Sequence, residues 1–169
     1  MERLRKGRKI QDMENGITLQ TAVSPEQYEA GRVIFRAYAA SLDFDLCFQG
    51  FEEELVNIAK QYGPPEGALI LACKGQDVIG CVGVRKFAEG QSELKRMFVL
   101  PDYRRLKLGE SLLLAALHAA KELGYSSMKL DTLPAMTSAI KLYEAHGFKK
   151  IAPYRYNPDE GAIYMEAEL

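Results

Sequence analysis

Residues 97–117 read MFVLPDYRRLKLGESLLLAAL. An apolar stretch runs into Pro101, a basic turn Arg104-Arg105-Leu106-Lys107 follows, and Gly109 lies near the start of an amphipathic helix. Cations at a helix N-terminus face the positive end of the macrodipole, at roughly 0.3–1 kcal/mol each when exposed. The same helix end carries unpaired N–H groups. A bound phosphate resolves both conflicts, because it pairs with the cations and accepts from the N–H groups. The segment therefore predicts a strand, a turn and a helix arranged around an anion.

Working outward, Ile17–Ala22 alternates as a strand. Ser24-Pro25-Glu26-Gln27 is a capping box with Pro at the first helical position, opening a helix to about Ala40. An aromatic loop, SLDFDLCFQG (41–50), leads to an acidic helix over Phe51–Tyr62. Ala68–Lys74 and Val78–Phe87 form a hairpin around Gly75-Gln76-Asp77, and Glu93–Val99 is the next strand. The central helix is predicted over Arg105–Leu123, with Gly124 ending it. Met128–Thr132 is a strand, Met136–His146 a helix closed by Gly147, and Phe148–Ile151 and Ala162–Glu168 are strands around the loop Tyr154–Gly161. This is an α/β (α+β) pattern: a mixed, mostly antiparallel sheet with helices on both faces, in a single domain over 16–169. Residues 1–15 hold Arg3, Arg5, Lys6, Arg8 and Lys9 with little apolar period, and read as a flexible basic tail.

Composition bounds the function. The chain has 169 residues and a net charge of −1, against the large positive balance of a general nucleic-acid binder. No apolar run reaches membrane-spanning length, and no signal-peptide pattern opens the chain, so a cytoplasmic location is expected. Cys47, Cys73 and Cys81 have no CxxC spacing and read as free thiols of a reducing compartment. Two histidines, His118 and His146, do not suggest a metal site, and none is expected.

Two motifs carry the chemistry. The first is Val99-x-Pro101-x-x-Arg104-x-x-Lys107-x-Gly109 running into LLLAAL. The second is Ala139-x-x-Leu142-Tyr143-x-x-x-Gly147-Phe148. In this order and separation they resemble the acetyl-CoA-binding and C-terminal motifs of the GNAT superfamily of N-acetyltransferases, and the resemblance runs from about Ile17 to Leu169. The stretches SLDFDLCFQ (41–49), LDTLPAM (130–136) and PYRYNP (153–158) look like one bacterial, small-molecule-type subfamily. Two positions depart from the family pattern. Lys107 stands where the first glycine of Arg/Gln-x-x-Gly-x-Gly/Ala is usual, and Met136 stands where an Asn often contacts the cofactor.

The resemblance implies acetyl-CoA as cofactor and a GNAT fold. It implies that the backbone of Met97, Phe98 and Val99 pairs with the pantetheine amides. Arg104 and the N–H groups of Arg105, Leu106, Lys107, Leu108, Gly109 and Glu110 would then hold the pyrophosphate. Ser111 adds a hydroxyl, and Thr137 or Ser138 takes the place of the missing Asn. Tyr143 is the implied general acid, protonating the departing thiolate. Glu93, eleven residues before Arg104, is the candidate general base. Its other reading is a carboxylate paired with Lys95 or Arg85 across the hairpin. Strand alternation would put Glu93, Lys95, Met97 and Val99 on one face. Phe44, Asp45 and Phe48 from the early loop and Tyr154, Tyr156 and Asn157 from the late one are candidates for the acceptor pocket. Arg85 and Arg96 are candidates for binding an acidic group on the acceptor.

The reading is an acetyl-CoA-dependent N-acetyltransferase acting by direct transfer on a primary amine of a small molecule, or of a peptide. The expected partners are that amine and no nucleic acid or membrane, with the chain a monomer or homodimer. The rival is a non-catalytic acyl-CoA sensor, resting on Lys107 and Met136.

Overall fold

The computed structural model describes residues 8–46 and 50–169. Among these residues eight strands form one sheet: β1 (Arg8–Asp12), β2 (Ile17–Thr21), β3 (Ala68–Lys74), β4 (Asp77–Ala88), β5 (Gln91–Val99), β6 (Ser127–Thr132), β7 (Lys149–Ile151) and β8 (Ile163–Glu168). Their spatial order is β1-β2-β3-β4-β5-β6-β8-β7. Every neighbouring pair is antiparallel except β5 and β6. The helices are α1 (Pro25–Ala40), α2 (Phe51–Val56), α3 (Ile58–Gln61), α4 (Leu108–Glu122) and α5 (Thr137–Ala145).

Two cores follow from strand alternation. Ile70, Ala72, Val82, Val84 and Leu94 face α4, whose Leu108, Leu112, Leu113 and Ala116 are buried against them. Leu69, Leu71, Cys73, Cys81 and Phe98 face the other way, onto Phe35 of α1, Leu55 of α2 and Ile58 of α3. Burying one Leu side chain stabilises by about 1.5–3 kcal/mol, so each face holds its helices firmly. The predicted capping box is present: Gln27 N–H donates to Ser24 Oγ and the Gln27 side chain accepts from Ser24 N–H.

Local differences from the sequence reading have local causes. Arg8–Asp12, expected within the flexible tail, is an edge strand on β2. A short charged edge strand needs no apolar alternation, so nothing in its composition announced it. The acidic helix is split at Asn57 into α2 and α3. The central helix starts later than predicted. Pro101–Leu106 is a 3-10 turn, and α4 begins at Leu108.

Candidate active site

The site begins where the sheet opens. β5 and β6 pair through only three residue pairs, Gln91 with Ser127, Ser92 with Met128 and Glu93 with Lys129. Beyond Glu93 the strands diverge. β6 continues against β8, and residues 94–99 keep a partner only on the β4 side. A wedge-shaped cleft results, with an unpaired strand edge along one wall, which suits an extended ligand that adds to the sheet.

A bulge shapes that wall. Gly83 pairs with Lys95 but Cys81 pairs with Phe98, so two residues of β5 oppose Val82 alone. Arg96 takes φ 55°, in the left-handed region. Such a conformation in a non-glycine residue costs on the order of 1–3 kcal/mol and persists only where the surroundings fix it. Here Arg96 is clamped by Glu54 of α2 (Nη2 to Oε2 2.7 Å), and both side chains are almost fully buried. The rings of Tyr38 and Phe51 lie 5.8 and 5.4 Å from the guanidinium. Tyr62 donates its hydroxyl to Glu54. The bulge breaks the expected alternation. Glu93 and Lys95 stay on the α1–α3 side, but Met97 and Val99 pack into the α4 core. Arg96, a candidate for acceptor binding, is committed to Glu54 instead.

The cleft encloses about 90 Å³. Leu94, Lys95, Arg96 and Met97 line one wall and Asp131, Thr132 and Leu133 the other. Tyr38, Phe44, Leu46 and Asn157 close the α1 side, and Met136, Ala139 and Tyr143 of the α5 region close the far side. Phe44, Asn157 and Tyr143 are thus brought together as expected. Phe48 lies outside the described residues. Tyr156 is 74% exposed and is not in the lining of this cleft.

Tyr143 is buried, its ring 5.6 Å from that of Phe148. Its hydroxyl has no hydrogen-bond partner among the described residues. Burial pushes its phenol well above the ordinary range, with Tyr38 and Asp131 adding to the rise. Asp131, which the sequence reading left without a role, accepts from Asn157 Nδ2 (3.3 Å) and faces Lys95 Nζ at 3.8 Å. Burial lowers the Lys95 ammonium to about 8, with the Arg96 and Arg85 charges acting in the same direction. Lys95 and Asp131 were missed because nothing local distinguishes them; their place beside Tyr143 is set by strand pairing.

Glu93 is placed otherwise than a base open to an acceptor. It is fully buried and lines a second cleft, on the Arg85 side. Arg85 donates to its Oε1 through Nε (3.0 Å) and Nη2 (2.9 Å). Tyr154 Oη (2.8 Å) and Arg155 Nη2 (2.5 Å) engage its Oε2. The cross-hairpin pairing with Arg85 is therefore the observed one. Tyr154 serves this cluster too, and its phenol is pushed far up by burial and by Glu93.

The donor end fits the implied cofactor. Lys107 adopts φ 55°, ψ 31° at the N-cap of α4. This is the left-handed conformation that a glycine gives without strain, which explains the family preference that Lys107 departs from. Among the described residues no side chain caps the first turn of α4, which leaves its N–H groups available. A Cβ on Gly109 would meet only Leu142 Cδ2, at 3.7 Å, so the fold does not itself require glycine there. The open space beside it suits a pyrophosphate. Arg105 and Lys107 are exposed at the turn, whereas Arg104 folds back, its Nε donating to Val99 O (3.2 Å) and its guanidinium lying over Phe98. That bond occupies one of the β5 carbonyls expected to face pantetheine. Leu106 is half-buried against the α4 core, Leu108 is buried within it, and Glu110 and Ser138 are exposed on their helices. Ser111 is half-buried one turn into α4. Met136 Sδ accepts from Thr132 Oγ1 (3.5 Å).

Comparison with known proteins agrees with this geometry. An acetyltransferase from Streptococcus agalactiae superposes with a TM-score of 0.75 at 22% identity, covering 92% of this chain and 99% of that one. The PaiA N-acetyltransferase of Thermoplasma acidophilum, solved in complex with coenzyme A, gives 0.66 at 20% identity over 90% of this chain and 99% of its own. Among sequences, an uncharacterised N-acetyltransferase of Schizosaccharomyces pombe is 36% identical over 157 residues, 92% of this chain and 96% of the relative. Residues 35–148 match the profile of the Acetyltransferase (GNAT) family. With most of the chain matched to that family, and a relative aligned almost end to end, this chain belongs to the GNAT acetyltransferases, which use acetyl-CoA as acetyl donor.

Proposed function

We propose that the protein transfers acetyl directly to a primary amine of a small molecule, with Tyr143 as general acid. The observation that carries this reading is the Tyr143 hydroxyl: carried on a buried side chain, without a hydrogen-bond partner among the described residues, and in one cleft with Asp131 and the unpaired edge of β5. Acetyl-CoA supplies the acyl group as an activated thioester. The unpaired edge at Met97, Phe98 and Val99 orients it, the N–H groups at the start of α4 hold its phosphates, and Arg105 and Lys107 add charge. A backbone N–H near Phe98 supports the oxygen that gains charge. Tyr143 keeps its proton at Oη until sulfur departs. A phenol raised by burial is a fit donor here, because the same dry surroundings make a departing thiolate more basic.

The amine must lose a proton to attack. Asp131 lines the Tyr143 cleft, whereas the Glu93 carboxylate is already engaged by two arginines and a tyrosine. Asp131 is therefore the better-placed acceptor, directly or through water, and Glu93 becomes an anchor. Cys47 lies outside the described residues. Direct transfer without an acyl-enzyme is favoured because the two thiols among the described residues, Cys73 and Cys81, are free but buried, and burial raises both. Neither lines the cleft. No helix among the described residues is long and apolar enough to cross a membrane, which is compatible with an acceptor drawn from solution.

Release of free thiol from acetyl-CoA with a panel of amines, amino acids and peptide N-termini tests this reading. Turnover with small amines is expected. Turnover restricted to peptides would overturn the small-molecule acceptor, and wild-type rate in Tyr143→Phe would overturn the acid.

A further inference from the structure

The second cleft, about 490 Å³, opens beside Glu93 and is walled by Arg85, Arg155, Gln61 and Phe87. Its lining holds four cations, Lys60, Arg85, Lys86 and Arg155, against three carboxylates, Glu53, Glu66 and Glu93, so one cation is in excess. Among the described residues the neighbouring buried or half-buried cations each have a carboxylate: Lys95 has Asp131, Arg96 has Glu54, and Lys129 has Glu166. At the rim Lys86 is paired with Glu66. Among the described residues Arg85 and Arg155 share the one carboxylate of Glu93 as ion-pair partner, with Glu53 also in the lining of the cleft.

The two guanidiniums are not held equally. Arg85 spends Nε and Nη2 on Glu93 and Nη1 on Gln61 Oε1 (2.9 Å). Arg155 reaches Glu93 through Nη2, and its Nε is buried with no hydrogen-bond partner among the described residues. Arg155 therefore carries the surplus charge. Its side chain is 22% exposed at the cleft, so a ligand can reach it. A guanidinium largely removed from water and short of a counter-ion favours an anion beside it.

The neighbouring geometry ties this charge to the acceptor. Glu93 lines the second cleft and Leu94 to Met97 the reacting one, so the two clefts adjoin along β5. The loop that brings Arg155 to the second cleft brings Asn157 to the first.

We propose that the second cleft binds a carboxylate of the acceptor, with Arg155 as its counter-ion. The acceptor is then an amine bearing an acid group some distance along its chain. This rests on the acetyl-transfer reading above and narrows its substrate class.

Matched acceptors test the proposal: the ω-amino acids from 4-aminobutanoate to 8-aminooctanoate, each against the alkylamine and the terminal amide of equal length. The wild type should prefer the acid over both neutral partners by about tenfold in kcat/KM at its best chain length, the scale of one charge-assisted contact. Arg155→Gln should bring that ratio to near one, and Arg155→Lys should keep part of it. Equal rates for acids and neutral partners at every length overturn the proposal. So does an acid preference that survives in Arg155→Gln. Calorimetric titration with pentanoate, in the presence of CoA, separates failure of the site from failure of the chemistry. Binding to wild type and not to Arg155→Gln upholds the site even if no amine turns over. Equal binding, or none to either, removes it.

Discussion

The turn at 101–111 and the α1–α3 face of β5 are both crowded with cations, and they solve the crowding differently. At the turn, Arg105 and Lys107 are exposed beside the uncapped start of α4. Water screens them, and the conflict with the helix dipole is small until phosphate arrives. On β5, Lys95 and Arg96 are buried, and each is matched to a carboxylate from another element, Asp131 of β6 or Glu54 of α2. There the penalty for an unmatched charge is several kcal/mol, so the partners are structural necessities. The lesson is that exposed charge at the turn is left free for the ligand that the proposed function assigns to it, whereas buried charge on β5 first holds the wall in shape.

The sharpest way to break this contrast is Glu54→Ala. It leaves Arg96 buried, unpaired and held at a left-handed φ, so unfolding stability by denaturant should fall by about 3–5 kcal/mol. Arg105→Ala at the exposed turn should leave stability nearly unchanged while weakening acetyl-CoA. Comparable losses from the two variants would erase the distinction. Next in size is Tyr143→Phe, which should lower kcat by about 100-fold or more with little change in the KM for acetyl-CoA.

The third concerns Lys95, whose folded value near 8 lies below its ordinary 10.5. Between those values the unfolded chain binds the proton that the folded chain has lost. Stability should therefore rise with pH across this window, by about 1 kcal/mol per pH unit, the penalty of charged Lys95 being fully felt below it. Urea unfolding from pH 7 to 10.5 should show that rise in wild type and not in Lys95→Met. The smallest effect is Lys107→Gly. Relief of the left-handed conformation should stabilise the fold by about 0.5–1 kcal/mol, less than the full strain because glycine also loosens the unfolded chain. Loss of the cation should raise the Kd for CoA a few-fold, since one exposed charge near a helix start is worth about 0.3–1 kcal/mol. A variant less stable than wild type would mean that Lys107 carries no strain.

Legibility in the sequence followed the range of the interaction. The capping box at Ser24–Gln27, the stops at Gly124 and Gly147, and the strand-turn-helix at 97–117 rest on neighbours within a few residues, and the structure has all three. Arg8–Asp12 was hidden because an edge strand needs no apolar period. The bulge at Arg96 was hidden because no glycine marks its positive φ, the conformation being held by Glu54, far away in sequence. That bulge moved Met97 to the opposite face from Glu93, and with it the expected line of acceptor-facing residues.

By itself the sequence determined the order of the elements from Ile17 onward (apart from the split of the acidic helix), the cationic turn before α4 and Tyr143 in its motif, since these depend on local propensity, helix ends and short spacing. Tertiary structure alone decided which charges meet. Glu93 went to Arg85 and Arg155, Asp131 came to Tyr143, and Arg155 was left short of a counter-ion. The physical reason is that burial turns a weak, screened preference between charges into a requirement, and burial is a property of the assembled sheet and helices.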